Sequence, residues 1–356
     1  MTPLAEILAR RIAMNGPISL AEYMAECLMH PDHGYYTTRP VFGVSGDFTT
    51  APEISQMFGE LLGLCLAQCW INQGRPDPFV LAEPGPGRGT LMADILRATE
   101  QVAGFHDAMR VHLIETSERL RHVQRETLNG IDVIWVASID ELPRAPLFLI
   151  ANEFFDALPI RQFTRDTQGW REHQIGLNDA QLALGLSAPA PIAMLDHRLS
   201  DTNPGDIVEV CPTAGPIMGE IADRISTNGG IAVIVDYGDW RSLGDTFQAV
   251  HEHQPIDPLA TPGQADLTAH VDFERLSEAA QLASVSDMVS QGMLLERLGI
   301  TQRAQILANS LTGAALETHI AAHRRLTHPD EMGTLFKAIA VFPNDQSPPP
   351  GFTHDA

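Results

Sequence analysis

The segment 79–91, FVLAEPGPGRGTL, constrains this chain most, because an apolar run, a carboxylate, a glycine loop and a helical pattern follow one another in it. The loop has glycine at every second position, at Gly85, Gly87 and Gly89. Glycine adopts backbone angles that are closed to other residues, and it lets a ligand approach the main chain closely. The free N–H groups of the following helix turn would then face that ligand. This strand–turn–helix context predicts a nucleotide site.

The spacing of the glycines distinguishes between nucleotides. A dinucleotide loop needs a small third residue, but Thr90 stands at that position counted from Gly85. The pattern G-x-G-x-G with Glu83 two residues upstream instead resembles the S-adenosylmethionine loop of class I methyltransferases. That ligand presents one carboxylate to the loop, and its ammonium and sulfonium are cations that favour an acid such as Glu83. A glycine-rich turn without a ligand is the alternative.

Alternating apolar runs and helical patterns predict an α/β fold with a mainly parallel, Rossmann-like sheet of the class I methyltransferase type. Strands are expected at 79–83, 111–115, 131–136, 146–152, 229–236 and 335–341, and helices at 89–102, 117–128, 213–226, 290–298, 301–312 and 315–327. We expect a single domain, 1–356, with its core in 76–159 and 209–341. Residues 1–75 would form an N-terminal helical extension, 160–208 an antiparallel β insertion and 343–356 a flexible tail.

Local signals define the extension and the insertion. Ser19 with Glu22, and Thr50 with Glu53, match the capping box that starts a helix. The second box would open one long helix over 51–72. In the insertion, alternating residues on both sides of 166–169 predict a hairpin.

Composition excludes several classes of function. The 356 residues carry a formal net charge of −22, which argues against nucleic-acid binding. Such a charge would attract a basic partner, but plain solubility is the alternative and by itself explains the charge better. No apolar run approaches the roughly 20 residues of a membrane span. The four cysteines and the His251–His253 pair lack the spacing of a metal site, so none is expected. A bacterial cytoplasmic protein or a processed mitochondrial matrix protein fits, and the apolar N-terminal helices could mediate a homodimer.

Two acidic strand ends are the main candidates for chemistry. Glu115, after the second predicted strand, could accept both ribose hydroxyls of an adenosyl ligand. After the fourth strand, Asn152, Glu153 and Asp156 lie in the segment NEFFDALP. Glu153 and Asp156 are the catalytic candidates, because paired carboxylates can hold and orient a planar guanidinium bidentately. The alternative is that the polar residues cap the next element while the two phenylalanines fill the core.

Other polar residues could line the same cleft. Asp236 and Tyr237 end the fifth predicted strand, and His270 lies in the segment ADLTAHVDF. A histidine can accept a proton near neutral pH, although His270 fits a structural, hydrogen-bonded role equally well.

Together these segments resemble the MidA family, the bacterial and mitochondrial relatives of a complex I assembly factor. The resemblance covers nearly the whole chain and rests on ISLAEYM (18–24), HGYY (33–36), GDFTTAPEISQ (46–56), EPGPGRGTL (83–91), ANEFFDALP (151–159), VDYG (235–238), DLTAHVDF (266–273) and MGTLFK (332–337).

The resemblance implies a class I methyltransferase that uses S-adenosyl-L-methionine and methylates arginine in a protein such as a complex I subunit. Gly85, Gly87, Gly89 and Glu115 would then contact the donor, with Glu83 and Asn152 beside them. Residues 46–53 would form a wall near the site, so Asp47 and Glu53 are expected to contact substrate.

Three competing functions remain open on the sequence. The first is a methyltransferase that acts on a small molecule or another side chain. The second is a non-catalytic assembly protein that keeps the adenosyl-ligand fold. The third, a nicotinamide-dependent oxidoreductase, is disfavoured by Thr90 and the loop spacing.

Overall fold

The computed structural model describes residues 1–38 and 50–354, which form two compact units. The first unit comprises residues 1–38, 156–214 and 239–272, and the second comprises 50–155, 215–238 and 273–354. Each unit has a hydrophobic core of its own, where the sequence suggested a single domain. The proposed N-terminal extension, 1–75, is divided between the two units, and the β insertion, 160–208, belongs to the first.

The strands include all six that the sequence predicted, with ends shifted by a few residues. They are β1 Ile18–Ser19, β2 Phe79–Pro84, β3 Met109–Ile114, β4 Val133–Val136, β5 Leu147–Asn152, β6 Arg161–Asp166, β7 Gly169–Asn178, β8 Gln181–Leu186, β9 Ile207–Val210, β10 Gly230–Asp239, β11 Gln248–His251, β12 Gln254–Ile256, β13 Asp266–Thr268, β14 Val271–Asp272, β15 Ser284–Val285, β16 Val289–Ser290 and β17 Phe336–Phe342.

The helices likewise match the predicted positions in the second half of the chain and around the glycine loop. They are α1 Pro3–Asn15, α2 Leu20–Met29, α3 Tyr35–Thr38, α4 Ala51–Ile54, α5 Gln56–Asn72, α6 Thr90–Thr99, α7 Phe105–Ala108, α8 Glu118–Thr127, α9 Ala214–Asn228, α10 Phe273–Ala279, α11 Gln291–Arg297, α12 Ile300–Ala308, α13 Gly313–Thr327 and α14 Met332–Leu335.

The second unit is built on a mainly parallel sheet, as predicted. Its strand order is β15-β17-β10-β5-β2-β3-β4, in which β10, β5, β2, β3 and β4 run parallel and β17 runs antiparallel to β10. All residues of β2 and β5 are buried, which explains why these strands read as continuous apolar runs in the sequence. The order β5-β2-β3 brings three polar strand ends to one edge of the sheet.

The first unit contains antiparallel sheets. The predicted hairpin is present, because β6 pairs with β7 and Asp166 lies opposite Gly169. β8 and β9 extend it on either side, and β11, β12 and β13 form a second sheet within the connection 239–273. The Ser19–Glu22 capping box starts α2 as predicted, since Ser19 and Glu22 exchange both hydrogen bonds.

The predicted helix over 51–72 is interrupted at Ser55, whose backbone is extended (φ −160°, ψ 134°). The Ser55 hydroxyl accepts a hydrogen bond from the Met57 N–H (3.3 Å) and caps α5. The Thr50–Glu53 capping box does not form through side chains, because Thr50 makes no side-chain cap. The Glu53 carboxylate is instead bound by Thr90, a contact between elements that the local pattern could not reveal.

The C-terminal segment is packed, in contrast to the flexible tail expected from its prolines. Phe352 is only 8% exposed and belongs to the core of the second unit. The Asp287 N–H donates to the Thr353 carbonyl (2.8 Å), and the Thr353 hydroxyl donates to the Asp287 carboxylate (3.0 Å). A buried aromatic ring therefore anchors the segment through residue 354.

Two negative observations apply to residues 1–38 and 50–354. None of the helices there is both long and apolar enough to cross a membrane. The same residues contain no group of three or more His, Cys, Asp or Glu side chains arranged to hold a metal ion.

Phe352→Ala tests whether the C-terminal segment is part of the core. We expect the free energy of unfolding to fall by about 3 kcal/mol, because a buried phenylalanine is removed and a cavity is left. Leu335→Ala, at a position 47% exposed, is the control and should change stability much less. Urea unfolding would measure both, and equally small effects would mean that the tail is frayed.

Candidate active site

Three polar residues meet at the carboxyl edge of the parallel sheet in the second unit. Glu83 is the next-to-last residue of β2, Glu115 directly follows β3, and Asn152 ends β5. In open α/β sheets ligands bind in the crevice beyond the carboxyl ends of the strands. The fold therefore assembles these three predicted residues where a ligand would bind.

The glycine loop takes the left-handed backbone that its sequence requires. Gly85, Gly87 and Gly89 have φ values of 61°, 52° and 82°. A Cβ on Gly85 would lie 3.1 Å from the ring of Phe154, so the loop also depends on the absence of a side chain. Gly89 is the N-cap of α6, and the first N–H groups of this helix lie at the end of the loop.

Glu83 is buried, and one oxygen of its carboxyl group makes no hydrogen bond within the described residues. Its side chain is 3% exposed, and Oε2 has no hydrogen-bond partner among the described residues. Burial raises the pKa of Glu83 well above its usual value, although a hydrogen bond from the Met92 N–H opposes this effect. The Asn152 side-chain oxygen is also buried without a partner in the described part of the chain. Such orphaned acceptors fit a ligand that carries an ammonium group and a sulfonium.

Glu115 is held in place but retains hydrogen-bonding capacity. Oε1 accepts from the Ser117 N–H (2.7 Å), and Oε2 accepts from the side-chain amide of Gln124 (3.3 Å). Burial raises the pKa of Glu115, and these hydrogen bonds partly oppose the rise. A carboxylate has about four lone-pair sites, so this one keeps capacity to accept from a ribose hydroxyl.

Glu153 has an unusual backbone conformation for a residue with a side chain, with φ at +50°. Its Oε1 accepts from the Asn152 side-chain amide (2.9 Å) and from the Ala51 N–H (3.2 Å). Burial raises the pKa of Glu153, while these two bonds and the charge of Arg325 act in the opposite direction. A non-glycine residue in this region costs of order 1–3 kcal/mol and is typical of functional sites.

Asp236 explains how that conformation is maintained. It is 0% exposed, and one oxygen accepts from the N–H groups of Phe154 (3.1 Å) and Phe155 (2.9 Å). The other oxygen accepts from the Tyr237 N–H (3.0 Å). Asp236 is thus a buried support for the segment after β5, and its predicted contact with substrate stays a prediction. Tyr237 is also buried, with its ring 5.6 Å from that of Phe336.

Glu53 joins the segment before α5 to the helix after the glycine loop. Its Oε1 accepts from the Thr90 hydroxyl (2.6 Å), and its Oε2 lies 3.6 Å from the Arg88 guanidinium. Glu53 therefore lies beside the glycine loop, and its predicted contact with substrate stays a prediction. Asp47, the other residue predicted for this wall, lies outside the described residues.

Asp156 and His270 belong to the first unit, whereas Glu153 belongs to the second. Asp156 is buried. Burial, the charge of Asp266 and the charge of Asp156 together raise the pKa of Tyr36 well above its usual value. The Tyr36 hydroxyl donates to Asp266 (2.9 Å). The His270 N–H donates to the Thr246 hydroxyl (2.8 Å). The clamp predicted from Glu153 and Asp156 stays a prediction.

The sequence did not reveal two supporting roles. One is that of Gln124, and the other is the structural role of Asp236. Gln124 lies in the middle of α8, where a glutamine is usually a solvent-exposed helix former, yet it is completely buried. A polar residue on the apolar face of an amphipathic helix was the only available signal. For Asp236, the sequence located the residue but not the main-chain groups that it binds.

Comparison with known proteins identifies the family of this chain. Residues 61–290 match the family described as S-adenosyl-L-methionine-dependent methyltransferase. The chain belongs to this family. It is 36% identical to the human protein "Protein arginine methyltransferase NDUFAF7, mitochondrial", with 97% of this chain and 85% of the relative covered. The zebrafish (Danio rerio) protein of the same name is 38% identical, with coverage of 94% and 85%.

A solved structure from Burkholderia thailandensis, with S-adenosyl-homocysteine bound, is similar over nearly its whole length. Its TM-score is 0.83 at 28% sequence identity, with 98% of this chain and 94% of that one covered. The chain is therefore an S-adenosyl-L-methionine-dependent methyltransferase, and the predicted class I fold is confirmed.

Glu83→Gln should change how the stability of this methyltransferase depends on pH. Above an ordinary pKa near 4.5 the unfolded chain releases the Glu83 proton, while the folded chain keeps it because burial raises the pKa. The free energy of unfolding should therefore fall as pH rises between the two pKa values, by about 1.4 kcal/mol per pH unit from this group. Urea unfolding between pH 5 and 8 should show that Glu83→Gln removes this part of the slope.

Glu100→Gln, at an exposed position, is the control for Glu83→Gln and should leave the slope unchanged. If Glu83→Gln gave the same pH dependence as the unaltered chain, Glu83 would not be protonated in the folded state.

Glu115→Gln should weaken binding of S-adenosylhomocysteine about tenfold or more, because a charged acceptor for the ribose is replaced by a neutral one. A ligand of the native state raises the melting temperature, so thermal shift together with calorimetric titration would measure the change. Glu118→Gln, an exposed neighbour on α8, should bind normally. Stabilisation of the unaltered chain by NAD but not by S-adenosylhomocysteine would contradict the assignment of the site.

Proposed function

We propose that the chain is a protein arginine N-methyltransferase. Two observations support the substrate class: the relatives carry arginine methyltransferase in their names, and acidic side chains are concentrated at the segment after β5. The observation that carries the proposal is Glu153, a carboxylate in a strained conformation next to the residues that would bind the donor.

The chemistry requires acids that bind a cation and orient it. An arginine side chain keeps its charge in water, with a pKa above about 12. S-adenosyl-L-methionine supplies an electrophilic methyl group when bound. A guanidinium nitrogen would form the new bond to the methyl carbon, the carbon–sulfur bond would break with its electron pair left on sulfur, and the nitrogen would release one proton to water. Glu153 would hold the guanidinium in line and stabilise its charge.

We assign Asp156, together with Glu153, to binding of the substrate guanidinium. Asp156 lies with Asp266 and Tyr36 in a buried polar cluster of the first unit, and such a cluster can receive a guanidinium that brings its own positive charge. The proposal also includes His270, Asp47 and Glu53 as residues that contact the substrate. The net charge of −22 supports a basic protein segment over a neutral small molecule as the substrate.

A subunit of respiratory complex I is the protein that the family resemblance favours as substrate. The names of the curated relatives support the mitochondrial alternative for location, and the cytoplasmic alternative stays a prediction. A homodimer also stays a prediction. Quantitative mass spectrometry of methylated peptides, from cells with and without this protein, would identify the substrate. Loss of arginine methylation at a defined site supports the proposal, and changes restricted to small molecules or other side chains would reject it.

Glu153→Gln and Asp156→Asn should separate catalysis from donor binding. We expect each variant to bind S-adenosylhomocysteine within about twofold of the unaltered protein, because neither residue belongs to the donor site. Methyl transfer to the substrate should fall about 100-fold or more, since the guanidinium would no longer be held by two charges. Transfer of a labelled methyl group from S-adenosyl-L-methionine would measure the loss.

Glu100→Gln is the charge-matched control for these two variants and should keep full activity. Unchanged methyl transfer in both Glu153→Gln and Asp156→Asn would reject the assigned clamp while leaving the donor site intact.

A further inference from the structure

Gln124 connects three parts of the donor site through one side chain. Its Nε2 donates to the Gly87 carbonyl (2.8 Å) and to the Glu115 carboxylate (3.3 Å). Its Oε1 accepts from the indole N–H of Trp135 (2.8 Å). Gln124 is 0% exposed, so solvent does not compete for these bonds. The side chain therefore ties the glycine loop to the acid after β3.

The donor and acceptor pattern around Gln124 admits only an amide. A main-chain carbonyl and a carboxylate only accept hydrogen bonds, whereas an indole N–H only donates. The side chain between them must offer two donors on one atom and an acceptor on the other, and glutamine does so. A glutamate would set a second carboxylate against Glu115, and a methionine of similar size would leave three buried polar groups without this partner.

We propose that Gln124 is a positioning residue for the methyl donor, which fixes the Glu115 carboxylate for the ribose hydroxyls and couples it to the Gly87 main chain. This inference rests on the assignment of Glu115 and the glycine loop as the donor site. The Ser117 N–H binds the other oxygen of Glu115, so the two contacts together define the rotation of the carboxylate. The remaining acceptor capacity of the carboxylate is then held in a fixed orientation.

Trp135 completes the arrangement from β4. Its indole N–H fixes the orientation of the Gln124 amide, and the guanidinium of Arg125 lies 4.8 Å from the centre of the Trp135 ring. Trp135→Phe removes the hydrogen bond to Gln124 together with part of the aromatic surface beside Arg125, keeps the Gln124 amide itself, and should produce a weaker form of the effect of Gln124→Met.

The test compares S-adenosylhomocysteine with an analogue that lacks both ribose hydroxyls, by calorimetric titration of the full chain. Gln124→Met should bind S-adenosylhomocysteine about tenfold more weakly and the analogue within about twofold of the unaltered protein. Trp135→Phe should lose about threefold for S-adenosylhomocysteine. Gln291→Met is the matched control, because Gln291 is an equally buried glutamine that donates to the Leu326 carbonyl (2.9 Å) in the same unit.

Measuring affinity over a pH series distinguishes a positioning role from a purely structural one, because a structural role would not change how affinity depends on pH. In the unaltered protein, affinity for S-adenosylhomocysteine should stay level or fall as pH decreases, because protonated Glu115 is a poorer acceptor for the ribose hydroxyls. In Gln124→Glu, two adjacent carboxylates can share one proton, and the protonated member can donate to the other as the amide did. Affinity of Gln124→Glu should therefore increase from pH 8 to pH 6.

Each outcome separates this inference from the assignment of the donor site. If Gln124→Met weakens both ligands equally, or weakens neither, Gln124 does not position Glu115 and the inference is wrong. The same conclusion follows if Gln124→Glu and the unaltered protein show the same pH dependence. If the unaltered protein binds both ligands equally well, Glu115 does not bind the ribose, and the site assignment itself fails.

Discussion

The left-handed backbone of the glycine loop is the constraint on which the site depends. Positive φ angles at Gly85, Gly87 and Gly89 turn the chain from the end of β2 into α6 within a few residues. This turn leads into α6, whose Met92 N–H bonds the buried Glu83 side chain, and it makes room for the ring of Phe154 over Gly85. Any other residue at these positions would add strain, and at Gly85 a close contact as well.

Buried polar side chains hold the rest of the site. Gln124 joins the glycine loop to Glu115, and Asp236 binds the main-chain N–H groups that follow the strained Glu153. Both residues are completely buried, so their hydrogen bonds to these segments are shielded from solvent. Gln124 thereby holds Glu115, which we assign to the donor, and Asp236 holds the segment that carries Glu153, which we assign to the substrate.

The sequence predicted what is encoded locally and missed what depends on contacts between distant elements. The parallel strands, the helix after the glycine loop and the acids at the strand ends were predicted, because apolar runs, glycine spacing and strand ends are local patterns. The break at Ser55 was missed, and so was the bond between Glu53 and Thr90, because Thr90 belongs to another helix. The role of Gln124 was missed for the same reason, and the burial of Phe352 was hidden by the surrounding prolines.

The central claim is that the glycine loop binds the amino-acid end of the donor while Glu115 binds its ribose. A crystal structure of this methyltransferase with S-adenosylhomocysteine tests it most directly. We expect the carboxylate of the ligand within hydrogen-bonding distance of main-chain N–H groups near residues 85–90, and both ribose hydroxyls on Glu115. A ligand bound elsewhere, or a ribose out of reach of Glu115, would contradict the account.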